Sequence, residues 1–310
     1  MASWAVPDTV NGWATRWHAV SGLTLLLLLP TKIRGPVRRG LRRRRWTRGI
    51  SVIYGAGVAT ALALGVVHAT GLAHGVGAWS PLWAHELVGF TLIPLTAFHV
   101  RTRPRRTPPV ARGPRRAFLR LGVTGAAAGV VFVAQRSLVP PRMPARRRPT
   151  GSYEIGSHDP GRLPSVYWIN DRRPGDTEPG TWNLIVQGRP VAIDELWGLS
   201  APLAATLDCT GGWWSEHHWD AVPLSGIVDR PTGRSVRVTS STGYQRRYRP
   251  DELDTVFLAV GYGGEPLRPG HGAPVRLVVP GRRGPEWVKW VVEVADDDRP
   301  AWAQSPLPLS

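Results

Sequence analysis

Two apolar runs, flanked on either side by blocks of arginine, constrain this 310-residue chain more than any other feature. Ile50–Leu72 is 23 residues whose only acidic or basic side chain is His68, long enough to cross a bilayer as a helix. Leu82–Val100 is 19 residues, apolar apart from His85, Glu86 and His99. Trp17–Pro30 is shorter and spans only if Lys32 snorkels. Leu121–Ala134 has the length of a signal-peptide core. These runs predict helices near 13–33, 50–72, 82–100 and 117–139, an all-α membrane domain of about four passes over residues 1–139.

The charge follows the same division. Residues 1–150 hold 23 Lys/Arg against Asp8 and Glu86, a net +21, whereas residues 151–310 carry a net −4. A basic chain invites a nucleic-acid reading. Here, however, nine of the basic residues fall in Lys32–Arg48 and eight in Arg101–Arg120, each block between apolar runs. That is the pattern of cytoplasmic loops. With both loops inside, the N-terminus and everything after about Val139 lie outside the cell membrane, and lipid rather than nucleic acid is the expected partner. The fourth run is preceded by Gly113-Pro-Arg-Arg-Ala-Phe-Leu-Arg120, which resembles a twin-arginine export signal, a route for domains folded around a cofactor. The same arginines also suit the cytoplasmic anchor of a last helix. Residues 140–150, Pro- and Arg-rich, read as an extended linker.

His18, His68, His85 and His99 lie in or beside these runs, and His74 follows the second. His85 and His99 are 14 residues apart on one helix, hence on one face and about 21 Å apart along its axis. The spacing resembles the paired histidines of b-type cytochromes. One outer haem between His85 and either His68 or His18 is the geometric expectation, against ordinary bundle histidines. No CxxCH is present, so covalent c-type haem is excluded.

From Gly151 the texture turns to Gly, Pro and Trp with short β-like runs. Trp182–Val186, Val236–Thr239, Thr255–Val260, Val275–Val279 and Trp287–Val294 read as strands, and Ile193–Leu199 and Pro250–Leu253 as helical. The expectation for 151–310 is one α+β domain. Its sole cysteine, Cys209, excludes an internal disulfide. A thiol at a strand end entering a Gly turn is placed to ionise and bind a soft metal, although a lone cysteine is more often an inert buried residue.

The segment Leu207-Asp-Cys-Thr-Gly-Gly-Trp-Trp214, followed by Val222-Pro-Leu-Ser-Gly226, resembles the cysteine segment of the sulfite-oxidase-like molybdopterin family. His271-Gly-Ala-Pro-Val-Arg-Leu-Val-Val-Pro-Gly281 and Trp287-Val-Lys-Trp290 are similar to that family's second signature. The resemblance covers roughly residues 151–297. It implies a sulfite-oxidase-type molybdopterin-binding domain, with Cys209 giving its thiolate to molybdenum and His271 and Arg276 contacting the pterin and its phosphate. Trp287, Val288 and Lys289 would close over the cofactor tail, and Asn170 would reach it from an early loop. Each has a plainer role as strand-edge or loop residue when taken alone.

Departures from animal sulfite oxidases are informative. Ile169 stands where those enzymes have an arginine, Gly-Gly-Trp-Trp where another follows the cysteine, and no tyrosine follows the VKW segment. Sulfite is therefore a doubtful substrate. The chain ends soon after VKW, so a monomer is expected. Glu216, His217 and His218 could line a substrate pocket or form a hydrophilic surface loop. Arg246, Arg247 and Arg249 could meet an anion or be solvated. The functional expectation is a membrane-anchored molybdenum oxidoreductase acting on a small substrate outside the cytoplasm, with electrons passing to an unidentified partner through a possibly haem-binding membrane domain. The alternative is an inactive molybdopterin-fold binding domain on a b-haem electron carrier.

Overall fold

A computed structural model of the chain describes residues 8–32, 47–74, 80–102, 114–138, 152–165 and 182–304. Two compact units result, one containing the long helices and the other Ser152–Ser310. Asn170, the linker 140–150 and most of both basic blocks lie outside the described residues.

The helical unit contains α1 (Asp8–Lys32), α2 (Thr47–Thr70), α3 (Pro81–Thr102) and α4 (Pro114–Leu138). One segment among the described residues, Gly49–Thr70 with mean hydropathy 2.0, is long and apolar enough to cross a membrane. Trp17–Leu29 and Leu121–Val130 are shorter apolar stretches, so four spans are more than length and composition alone support. Large apolar side chains on these helices, among them Ile53, Ile93 and Leu121, stand exposed on the unit. Helix α2 packs on α3 through small residues at four-residue spacing, which share one face. A Cβ on Gly57 would stand 3.0 Å from Leu92, and one on Gly65 would stand 3.2 Å from the His85 ring. Between them, the Ala61 carbonyl accepts a hydrogen bond from His85 Nδ1 at 2.8 Å.

The second unit is built on two sheets. The larger runs β1 (Tyr153–Glu154), β5 (Trp213–Pro223), β8 (Phe257–Tyr262), β10 (Arg276–Val278), with β4 (Ala201–Asp208) on β5 and β9 (Glu265–Pro266) on β8. The smaller has the order β3 (Arg189–Val191), β2 (Leu184–Val186), β11 (Val291–Asp297), β6 (Ser235–Ser240), β7 (Gln245–Tyr248). Helix α5 occupies Ile193–Leu199, and Pro250–Thr255 forms a 3₁₀ turn. Val236 and Val238 are fully buried, as alternation along a strand requires. They join Leu184, Leu196, Leu224, Leu258 and Leu277 in one core.

Two sequence expectations differ from the structure. The long antiparallel β4–β5 pair, from Ala201↔Ala221 to Asp208↔Trp214, is much more extensive than the short strand expected before Cys209. Conversely, Trp287–Trp290 is not strand; β11 begins at Val291, after Trp290 takes a positive φ of 53°. Trp287 and Val288 nevertheless bury their side chains, and the Val288 carbonyl accepts from Leu277 N–H. An apolar run thus reads as strand from burial alone, although its hydrogen bonding is irregular.

Candidate active site around Cys209

Cys209 sits in the tight turn that joins β4 to β5. Its N–H donates to the Trp213 carbonyl (2.8 Å), and Gly212, with φ of 90°, returns an N–H to the Cys209 carbonyl (3.2 Å). A non-glycine residue at 212 would be strained in this left-handed conformation. The Gly211 N–H points at Cys209 Sγ at 3.3 Å, the contact a thiolate would strengthen. Arg283 clamps the turn from outside, donating to the Cys209 carbonyl (3.2 Å) and approaching Asp208 Oδ1 (3.5 Å). Burial pushes the Cys209 thiol up, while Gly211 N–H, Lys289 and Arg283 pull it down.

A second group of residues, some sixty to eighty positions later, is assembled around the loop Pro269–His271. Three donors converge on its carbonyls: Trp290 Nε1 on Pro269 (2.9 Å), Lys289 Nζ on Gly270 (2.8 Å) and Arg276 on His271 (2.9 Å). Gly272 makes this possible. Its φ is 105°, and a Cβ there would lie 3.0 Å from Arg276 Cβ and 3.1 Å from Lys289 Cβ.

Arg276 is 2% exposed. Its guanidinium lies 5.1 Å from the Trp219 ring and 5.5 Å from the Trp287 ring, beside two indoles in edge-to-face contact, 5.6 Å apart. Among the described ion pairs none joins it to a carboxylate. Burial pulls its pKa down to about 10, with Cys209 and Tyr262 acting in the opposite direction. A buried cation held by carbonyls and aromatic faces retains much of its desolvation cost.

His271 uses both ring nitrogens within the protein. Leu163 O at 2.9 Å can only accept, so Nε2 carries the hydrogen and Nδ1 accepts from Tyr262 Oη at 3.0 Å. His271 thus braces the loop under Arg276 and Lys289. His217 is equally buried, with Nε2 2.7 Å from Ser215 Oγ. His218 is exposed, and His158 stands 3.6 Å from Glu216. Of the three later arginines, Arg247 is buried against Asp297 at 3.0 Å and Arg246 against Glu286 at 3.6 Å, whereas Arg249 pairs with Asp251 at the surface. These ion pairs hold the sheet and do not converge on Cys209.

Burial brings both His217 and His271 down to about 4; His158 and then Arg276 add to this for His217, and Arg276 and Lys289 for His271, against the Leu163 hydrogen bond. Both take up protons more readily when unfolded, near 6.5. Their contribution to stability is therefore complete above pH 6.5 and disappears as pH falls toward 4. Each is worth about 3 kcal/mol across that window. Urea unfolding followed by tryptophan fluorescence should show stability dropping from pH 6.5 to 4.5, with a shallower fall in His271→Gln.

In the helical unit, His18 and His85 are in edge-to-face contact, ring centroids 5.7 Å apart, and His99 stacks on Tyr54 at 4.9 Å. His68 is buried. Among the described residues no three His, Cys, Asp or Glu side chains gather as a metal site, so His18, His68 and His85 do not form one cluster.

The sequence motif contains Trp213 without giving it a role and does not reach Arg283, yet both side chains lie at the cysteine turn. The strand-like run after Cys209 was a usable signal for Trp213, since alternation brings one of two adjacent tryptophans back toward the turn. Nothing local to Arg283 signals its role.

Residues 172–303 match the family described as oxidoreductase molybdopterin binding domain. The catalytic subunit MsrP of the protein-methionine-sulfoxide reductase of Xanthomonas campestris is 32% identical over 141 residues, 36% of this chain and 44% of the relative. A nitrate reductase [NAD(P)H] of Hordeum vulgare is 38% identical over 73 residues, 24% of this chain and 8% of that one. The chain thus spans less than half the length of these curated relatives. Among solved structures, the sulfane dehydrogenase SoxCD of Paracoccus pantotrophus aligns over 40% of each chain with a TM-score of 0.37 and 25% identity.

Proposed function

Since its C-terminal unit is an oxidoreductase domain of the sulfite-oxidase-like molybdopterin-binding family, we propose that this protein carries out oxygen-atom transfer, or a related two-electron reaction, on a small substrate at Cys209. The observation that carries the reading is a half-buried cysteine within electrostatic reach of a buried guanidinium that meets no carboxylate among the described ion pairs.

The donor set suits a molybdenum–pterin group. Cys209 offers the soft sulfur ligand such a metal takes from protein. Arg276 offers a dry cation suited to a phosphate or pterin oxygen, and Lys289 a second positive charge within electrostatic reach of the thiol. Bound there, the group supplies the exchange of two electrons with a substrate. The polypeptide then has three tasks. The Gly211 N–H and the Arg283 and Lys289 charges favour the thiolate over the thiol. The Pro269–Gly272 loop, pinned by three donors, holds Arg276 and Lys289 in place. His271, neutral and with both ring nitrogens bonded inside the protein, braces that loop and is not placed to exchange a proton.

The finer proposal is that the helical unit lies in the cell membrane, with both basic blocks in the cytoplasm and the oxidoreductase domain outside. The apolarity of Gly49–Thr70 and the arginine blocks support it. Passage of electrons through a haem rests on the His18–His85 pair. Nδ1 of His85 donates to Ala61 O, which leaves Nε2 with the lone pair a metal needs.

Elemental mass spectrometry of the detergent-purified chain tests both parts. About one molybdenum per chain is expected, with iron and b-type absorption bands if the histidine pair holds haem. A folded protein without molybdenum, from a host that makes the cofactor, would end the catalytic reading. Molybdenum without iron would end the haem reading alone.

A further inference from the structure

The indole of Trp213 is 4% exposed, and its buried Nε1–H has no hydrogen-bond partner among the described residues. Other indoles of this unit are satisfied: Trp182 by Val291 O, Trp219 by Ala205 O, Trp287 by Arg282 O and Trp290 by Pro269 O. A buried donor left unmade is costly, so a fold that satisfies these four and orphans Trp213 points to an acceptor from elsewhere.

The position of the orphan says what that acceptor is. A Cβ placed on Gly211 would lie 3.4 Å from Trp213 Nε1 and 3.5 Å from Cys209 Sγ. Indole donor and sulfur therefore both lie within 3.5 Å of one point beside Gly211. The sulfur is not itself the partner. The two atoms thus lie close enough for an atom of a group held by the sulfur to meet the indole N–H.

The structure assigns Trp213 Nε1–H to an electron-rich sulfur or oxygen atom of the molybdenum group held by Cys209, as a neutral hydrogen-bond donor that tunes the centre. The assignment rests on the cofactor reading above. A donor on an anionic ligand stabilises the centre more when it holds more electrons, and so raises its reduction potential. It adds no charge, unlike an arginine in that place, and so gives an anionic substrate no extra attraction.

The test is an EPR-monitored redox titration of the molybdenum-loaded full chain, without substrate, in wild type and Trp213→Phe. Expected are undiminished molybdenum content, a shift of the Mo(V) signal to lower potentials, and loss of an exchangeable-proton coupling present in wild type. Gly211→Ala is the second variant. It keeps the indole but sets a methyl group at that shared point, in ordinary contact with both neighbours, and should shift the potential the same way even if Trp213→Phe fails to load. A molybdenum-loaded protein whose potential and proton coupling ignore both substitutions overturns the assignment. So does a shift that appears only when substrate is added, which would give the indole to substrate. A wild-type protein lacking molybdenum instead removes the cofactor reading on which this assignment stands.

Discussion

Cys209→Ser should leave the apoprotein folded and empty it of molybdenum, lowering metal content at least about a hundredfold at fixed cofactor supply, beyond the 10–100-fold typical of second-shell losses. The exchange alters one atom. A serine hydroxyl fits the same turn, and the Gly211 N–H that points at Sγ can donate to Oγ instead. Apoprotein stability should thus change by no more than about 0.5 kcal/mol, as for a substitution that breaks no packing. What changes is ligand chemistry. Thiolate is a soft donor within reach of neutral pH, whereas an alkoxide is not. Burial raises the Cys209 thiol against the pull of Gly211, Lys289 and Arg283, so the metal must displace a proton on binding. Elemental analysis alongside a thermal melt separates the outcomes: a folded Cys209→Ser chain with full molybdenum would remove Cys209 from the coordination sphere.

Arg276→Met should have opposite effects on the empty and loaded protein. The guanidinium lies buried against both Trp219 and Trp287, with its best hydrogen bond to the His271 carbonyl. Methionine keeps much of the stacking volume and removes a desolvated charge, a kind of exchange that is often neutral or stabilising. The empty protein should therefore melt no lower than wild type, the lost bond to His271 O offsetting part of the gain. The loaded protein loses a charge-assisted contact worth about 1.5–3 kcal/mol, which is roughly 10- to 150-fold in cofactor affinity. Retention of molybdenum and pterin through successive rounds of dialysis gives the comparison. A variant that melts much lower when empty and still retains the cofactor would make Arg276 a structural cation.

These two residues also mark how far the chain could be read without its structure. Cys209 and the His271–Arg276–Lys289 set are visible in sequence because their motifs are short and contiguous. The helix Ile193–Leu199 is visible because one turn of acidic residues precedes an apolar stripe. The β4–β5 pair was harder. Trp213–Pro223 mixes indoles, histidines and acids, and its burial alternates only in part, because both faces of the strand are covered at its start. Apolar side chains likewise made Trp287–Trp290 look like strand, although Trp290 turns the backbone through a positive φ.

The amino-acid order by itself determined where charge, apolar runs and soft ligands stand along the chain, because those are properties of side chains and their spacing. Only the tertiary structure decided which of them are already spent. His271 has the residue type of a cofactor contact, yet Tyr262 and the Leu163 carbonyl, 9 and 108 positions away, occupy both its nitrogens. Arg246 and Arg247 are likewise committed to Glu286 and Asp297. Trp213 shows the reverse: a tryptophan to which the motif gave no role holds a buried donor that no described residue accepts, near Cys209 Sγ. Hydrogen bonds are short and directional, and the partners that satisfy a group lie at sequence distances that no local pattern encodes.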